Sequence, residues 1–337
     1  MGEVTLPPIA WIASYPKSGN TWMRYLVHTY LYGVPNKMSA VGTRSHTLEQ
    51  YISGPNRREI LLGENEELVR SLEARIHTRQ ESIRQVWPSR VKEYVVMKNH
   101  CKHSSGHPLL SSNGRVILIV RNPKDVLLSA VNYFQLLERL QPEDIEYFVK
   151  EYIKNEGVQK FRARGYGSWT SHWKSWVEDG AKSSRVLLVT YEDMLNDTSH
   201  IFSQVLNFLD IAPDPERIKF SVENSSLDSL RSIEKKSAKD PIDSSKENSN
   251  KMMGENSAKR FFNKGEAGRS LEGVLGLKLD EEFDSAFIDP ICQLNNALDS
   301  GLVRVAASPR KVVLNESTTA RIPNSHDLAD DEYSAVA

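Results

Sequence analysis

The sequence predicts an α/β fold: a single domain with a central, mostly parallel β-sheet flanked by helices. Three observations predict it. Short apolar runs of strand length recur along the chain. The stronger runs are followed by stretches with helical spacing, and such alternation makes parallel pairs joined by right-handed crossovers. The 337 residues, 39% of them hydrophobic, suffice for one large core.

The elements follow in order. Ile9 to Tyr15 (Ile-Ala-Trp-Ile-Ala-Ser-Tyr) is an apolar run stopped by Pro16 and reads as a buried strand. After a loop, Pro16-Lys-Ser-Gly19, the segment from Asn20 to Leu31 places Trp22, Tyr25, Leu26 and Thr29 along one side of a helix. Tyr94 to Lys98 is a second strand. Arg115-Val-Ile-Leu-Ile-Val-Arg121 is the clearest strand, continuous enough to be buried on both faces, and Pro123 opens a helix running through Asp125 to Gln135. Arg185 to Thr190 is a fourth strand. Beyond it Ile201, Val205, Phe208 and Leu209 recur with helical spacing. Trp169, Trp173 and Trp176 are near-helically spaced and read as core packing.

The domain is expected to occupy residues 1–305. Residues 36–90 are polar and helix-prone, with no clear core strand. Residues 232–260 are rich in Ser, Lys, Asp, Glu and Asn, so they bury too little surface to offset ordering entropy; a mobile lid loop is expected. A disordered tail over 306–337 is expected for the same reason.

A net charge of −1 supplies no field toward nucleic acid or anionic membrane, so neither partner is expected and any anion site must be a local cluster. Two cysteines, Cys101 and Cys292, cannot form a disulfide framework and suit a reducing compartment. Met1 to Pro8 lacks the basic and apolar regions of a signal peptide, and Leu6 stands where myristoylation needs Ser or Thr. No apolar run is long enough to span a membrane. A cytoplasmic location is expected, in which the formal sequon Asn315-Glu-Ser317 has no consequence.

Three segments carry chemistry. Tyr15-Pro-Lys-Ser-Gly-Asn-Thr-Trp22 joins a strand to a helix start. Gly19 admits close backbone approach, free N–H groups and the helix dipole favour an anion, Lys17 adds a point charge, and Ser18 and Thr21 add hydroxyls. It is not a Walker A loop, because the lysine precedes the glycine. Arg121-Asn-Pro-Lys-Asp-Val-Leu-Leu-Ser129 leaves the clearest strand at its carboxyl edge, where open α/β sheets bind ligands; the planar fork of Arg121 suits a phosphate, and Ser129 lies two helical turns on. Met97-Lys-Asn-His-Cys101 brings Lys98 and His100, a base suited to neutral pH, to the same edge.

Together these motifs resemble the cytosolic-type PAPS-dependent sulfotransferase family. Pro-Lys-Ser-Gly-x-Thr-Trp is similar to its 5′-phosphosulfate loop, Arg-x-Pro-x-Asp-x-x-x-Ser to its 3′-phosphate motif, and Lys-x-His to its catalytic element. The resemblance implies a P-loop-nucleotide-kinase-like sulfotransferase fold, 3′-phosphoadenosine 5′-phosphosulfate (PAPS) as donor, no metal, and a small-molecule alcohol, phenol or amine as acceptor. By the same resemblance His100 is the general base, and Lys98 and Lys17 stabilise charge, Lys17 chiefly at the bridging oxygen. Lys17, Ser18, Gly19, Asn20 and Thr21 hold the 5′ end, and Trp22 stacks on the adenine. Arg121 and Ser129 hold the 3′-phosphate. Tyr191, in Thr190-Tyr-Glu-Asp-Met194, contacts the base, as do Ser225 and Leu227. Asn263, Lys264 and Gly265 close over the 3′-phosphate.

Some positions depart from the family pattern. Asn263 replaces an arginine, Arg269-Ser270 an Asp-Trp pair, and Leu227 an aromatic residue. The family's C-terminal dimer segment is not recognisable after Gly268, which leaves the oligomeric state open. Arg269 is a candidate to supply the missing charge. His100, Cys101, His103 and His107 fit no usual zinc spacing; His103 and His107 read as loop residues near the acceptor. Tyr133 and Phe134 suit either a partly apolar acceptor site or the core. The acceptor pocket is expected from segments 36–90, 131–170 and 232–260. Two other functions are weighed: a P-loop phosphotransferase or kinase, which would need Mg²⁺ and a lysine after the glycine, and a catalytically inactive sulfotransferase-like binding protein, which the altered late motif would suit.

Overall fold

The computed structural model describes residues 9–35, 46–47, 59, 65–72, 74–75, 78, 95–104, 114–137, 140–238, 262, 265–301, 303–306 and 311–312. Its centre is a parallel sheet of strands β1 (Ile9–Ser14), β2 (His46–Thr47), β3 (Val95–Asn99), β4 (Arg115–Val120), β5 (Arg185–Thr190) and β6 (Arg304–Val305). The spatial order is β2-β3-β1-β4-β5-β6.

That order decides where a ligand can sit. The chain leaves β1 for strands on one side of it and then returns to add β4, β5 and β6 on the other. The carboxyl end of β1 is therefore a topological switch point, where crossovers part and leave a crevice. Register pairs Ile12 with Lys98 on one side and Ser14 with Ile119 on the other. The segments that follow β3 and β4 thus flank the loop after β1.

Strand alternation fills a core on each face. Trp11, Ala13, Met97, Val116, Leu118, Val120, Val186 and Leu188 point to one layer. There they meet helices α2 (Pro123–Leu137), α3 (Ile145–Lys154), α4 (Gln159–Ala163), α5 (Trp169–Lys174) and, later in the chain, α10 (Leu277–Asp299). Ala10, Ile12, Ile117, Ile119, Leu187 and Val189 point to the other layer. Here α1 (Asn20–Tyr32), α6 (Tyr191–Asn196), α7 (Thr198–Phe208), α8 (Pro215–Glu223) and α9 (Leu227–Ala238) cover the sheet. Both faces are dry, which is why the strands read as apolar runs rather than alternating ones.

Trp169, Trp173 and Trp176 are all buried in the first layer, and Phe134 joins them there. Lys124, on α2, is buried and pairs with Asp280 at 2.7 Å and Asp284 at 2.6 Å on α10. Two carboxylates around one ammonium satisfy a charge that would be costly alone, and they fix α10 against the helix that follows β4.

The polar 36–90 stretch supplies β2, a two-residue edge strand too short for periodicity to reveal. Two expectations are corrected. The segment assigned to a mobile loop begins as helix: α9 runs to Ala238 because Ile233 and Glu234 are buried against the second layer, a tertiary gain that composition does not show. Residues 239–260 lie outside the described ones. The tail assigned from residue 306 starts ordered: Ala306 donates its N–H to the Leu188 carbonyl at 3.0 Å, and Asn295 bonds both backbone groups of the buried Val312 at 2.9 Å. The rest of that tail, 313–337, is outside the described residues.

Candidate active site

A cavity of about 370 Å³ opens at the switch point. On its wall are Lys17, Gly19, Asn20, Thr21 and Trp22 from the loop and α1, Lys98 and His100 from the end of β3, Arg121 and Ser129 from the end of β4 and α2, and Tyr191, Leu227, Gly265 and Arg269. Residues far apart in the chain therefore share one concave surface.

The loop after β1 is shaped for an anion. Lys17 takes a left-handed backbone, φ 75°, which costs a non-glycine residue about 1 kcal/mol. Gly19 follows at φ 100°, and the first turn of α1 has no side-chain cap, so its N–H groups remain for a ligand. Gly19 is required for a reason beyond ligand approach: a Cβ there would stand 2.6 Å from the Tyr191 ring. Asn20 is a structural pin as well as a wall residue. Its Nδ2 donates to the Ile12 carbonyl at 2.8 Å and to Ser14 Oγ at 3.2 Å. Burial drives the Lys17 ammonium down to about 7, with Arg121 and Lys98 adding like-charge repulsion.

Arg121 is buried, and its guanidinium lies 4.0 Å from the centroid of the Tyr191 ring. It donates to the Lys17 carbonyl at 3.2 Å and to the Glu266 carbonyl at 2.6 Å, while its buried Nε has no hydrogen-bond partner. An orphaned guanidinium N–H at this position fits an anion. Trp169 Nε1 holds the Arg121 carbonyl at 3.0 Å, so the core tryptophan also positions the arginine. Next to it Asp125 is fully buried, accepts from Gly268 N at 2.8 Å, and receives Arg269 Nε at 3.0 Å. Glu192 accepts from Asn122 N at 2.9 Å; burial pushes its carboxyl up to about 7.

At the other end of the cavity His100 donates Nδ1–H to the Ser14 carbonyl. Burial, then the Lys98 charge, hold this imidazole well below the usual histidine range. Phe161, Arg164, Tyr166 and Tyr133 complete the wall. The Tyr166 ring lies 5.7 Å from that of His100, and the Lys17 ammonium lies 4.6 Å over Tyr133. Tyr15 braces this wall from behind, accepting from Val158 N at 2.8 Å.

Not every expected residue reaches the cavity. The Ser18 hydroxyl is sealed inside the fold without a partner, because the left-handed turn at Lys17 sends the next side chain inward. Ser225 is also buried off the wall; its carbonyl accepts from Trp22 Nε1 at 3.1 Å, so it orients the indole rather than lining the site. Trp22 and Tyr191 meet edge to face, 5.8 Å apart, on the wall itself. His103 is not on the cavity wall; it is buried with its ring 5.3 Å from that of Trp176. Asn263, Lys264 and His107 lie outside the described residues.

Phe161, Arg164 and Tyr166 were not singled out as site residues by the sequence. The only signal was their place inside the broad 131–170 span assigned to the acceptor pocket. No group of three or more His, Cys, Asp and Glu side chains that could hold a metal occurs among the described residues. Nor is any helix among them long and apolar enough to cross a membrane. Cys101 is buried and Cys292 exposed, both as free thiols.

Comparison with known proteins gives consistent results. A family model described as the sulfotransferase domain matches residues 7–289. Sulfotransferase 1E1 of Rattus norvegicus is 26% identical over 224 residues, covering 65% of each chain. The Homo sapiens protein of that name is 27% identical over the same length and coverage. These alignments span just under two thirds of the relatives' length. Among solved structures, retinol dehydratase in complex with androsterone and inactive cofactor PAP superposes with a TM-score of 0.53 at 19% identity, covering 85% of this chain and 82% of that one. A mouse sulfotransferase complexed with PAP also scores 0.53, at 18% identity over 85% and 86%. At such identities the likeness is one of fold.

Proposed function

Because the chain belongs to the sulfotransferase family, we propose that it transfers a sulfuryl group from PAPS to a hydroxyl or amine of a small molecule. The observation that carries this reading is a shared wall: His100, Lys98 and Lys17 stand in one cavity with Arg121, Ser129, Trp22 and Tyr191. A base, a cluster of cations and two aromatic rings are what an in-line displacement on an adenosine phosphosulfate needs.

In this mechanism His100 takes the proton of the acceptor at Nε2, since Nδ1 is committed to Ser14. The acceptor oxygen or nitrogen bonds to sulfur as the bond from sulfur to the bridging oxygen breaks. Lys17 and Lys98 neutralise the charge that gathers on the departing phosphate and the sulfuryl oxygens. The products are the sulfated acceptor and 3′-phosphoadenosine 5′-phosphate (PAP). Arg121 and Ser129 are proposed to hold the 3′-phosphate, with Arg269 beside them, while Trp22, Tyr191 and Leu227 enclose the base. Gly265 lines the same wall, and Asn263 and Lys264 precede it in the chain. Two free cysteines are in keeping with a cytoplasmic setting.

The test has two steps. PAP should raise the melting temperature while Mg-ATP leaves it unchanged, and labelled PAPS should then deliver label to members of a phenol, alcohol and amine panel. Stabilisation by Mg-ATP instead of PAP would point to a phosphotransferase. PAP binding with no transfer to any acceptor class would point to an inactive binding protein.

A further inference from the structure

Five cationic side chains reach the cavity: Lys17, Lys98, Arg121, Arg164 and Arg269. No carboxylate lines it among the described residues. Four of the five belong to the donor's machinery on the reading above. Arg121 bonds the Lys17 carbonyl at 3.2 Å, Arg269 shares Asp125 with Arg121, and Lys98 lies two residues before His100.

Arg164 belongs to a different surface. It caps α4, on the turn between Phe161 and Tyr166, and its N–H bonds the Phe161 carbonyl at 3.1 Å. The turn is fastened to the segment after β3 by Lys102 N, which donates to the Gly165 carbonyl at 3.4 Å. Tyr166, two residues on, faces the His100 ring. The fifth cation therefore lines the cavity from the same turn as Phe161 and Tyr166, the latter being the ring that meets the imidazole.

We propose that the acceptor carries an anionic group, a carboxylate or a phosphate-type ester, which Arg164 holds while the acceptor's hydroxyl or amine meets His100. This rests on the sulfotransferase reading of the same site. The chemistry is direct. A guanidinium fork binds a carboxylate or phosphate through two charge-assisted hydrogen bonds. A neutral apolar acceptor would gain neither of those bonds, which makes the anion the better ligand. The donor already brings several negative charges into the cavity, so a second anion is tolerated only with a cation of its own. The rings of Phe161, Tyr166 and Tyr133 would grip the acceptor's body, which favours a hydroxyaryl acid over a long aliphatic one.

The test uses the full chain with PAPS and three matched acceptors: 4-hydroxyphenylacetate, its methyl ester, and the corresponding phosphonate. Binding of each to the PAP complex is measured by calorimetry alongside kcat/KM. The wild type should favour the anions over the ester by roughly ten- to a hundredfold. Arg164→Met should erase that preference with PAP affinity unchanged, and Arg164→Lys should restore part of it. The carboxylate and phosphonate arms rank the two anion types. An equal or better ester, a preference that survives Arg164→Met, or no binding of any anion to the PAP complex would overturn the proposal. So would loss of PAP affinity in Arg164→Met, since Arg164 would then serve the donor. Failure of the wild type to bind PAP at all would instead sink the underlying sulfotransferase reading.

Discussion

His100 gives its Nδ1 proton to the carbonyl oxygen of Ser14 over 2.7 Å. A carbonyl only accepts, so the neutral imidazole must keep its proton on Nδ1 and its lone pair on Nε2. The last residue of β1 thereby sets both the tautomer and the direction of the proposed base on the neighbouring strand.

His100→Ala should lower kcat by about a thousandfold or more while PAP affinity stays within about twofold. Isothermal calorimetry and labelled-PAPS assays separate the two. The pH profile adds a second readout. Burial and Lys98 hold the imidazole below its ordinary value of 6.5, so the basic form persists at neutral pH and is lost only as pH falls through the depressed value. The acid limb of kcat/KM should lie below 6.5, and Lys98→Met, by removing a like charge, should move it upward.

Lys17 should couple donor binding to a proton. Its ammonium is driven down to about 7 in the free protein, whereas an anion beside it favours the charged form. Below pH 7 the site is already charged. Above it, binding must take up a proton, so PAP affinity should fall as pH rises through 7 and beyond. Calorimetry at pH 8 in buffers of different ionisation enthalpy should show proton uptake, and Lys17→Met should abolish it.

Arg269→Ala should weaken PAP by roughly tenfold, the usual order for one charge-assisted bond. Arg269 lies on the cavity wall and is anchored by Asp125, a fully buried carboxylate that also pairs with Arg121 at 4.0 Å. Unchanged PAP affinity would show that Arg269 serves only to neutralise Asp125.

Gly19→Ala should destabilise the fold by about 2 kcal/mol, from the positive φ together with the clash against Tyr191. Thermal denaturation measures it. PAP binding should suffer too, since any relief moves Tyr191 off the cavity wall.

The strands and the first helix were legible because their physics is local. The β1, β4 and β5 runs are apolar on both faces and end at a proline, an arginine or a cap-forming threonine. Thr190, for instance, accepts from Asp193 N to start α6. The anion loop was legible because its lysine, glycine and helix start are contiguous. The inward Ser18, the service of Ser225 to Trp22, and the order in 232–238 were not. The last two depend on a partner distant in the chain, an indole for Ser225 and the second core layer for Ile233; the first follows the left-handed backbone at Lys17.

By itself the sequence determined an alternating α/β sheet, a cationic turn after the first strand, a histidine after the second strand it predicts and an arginine after the third. Only the tertiary structure decided that these meet in one cavity, which way the imidazole points, and that Arg164 lines the same wall as Phe161 and Tyr166. The physical reason is strand order. Placing β1 between β3 and β4 gathers their carboxyl ends at one switch point, and pairing order is settled by packing between remote segments rather than by the pattern within any one of them.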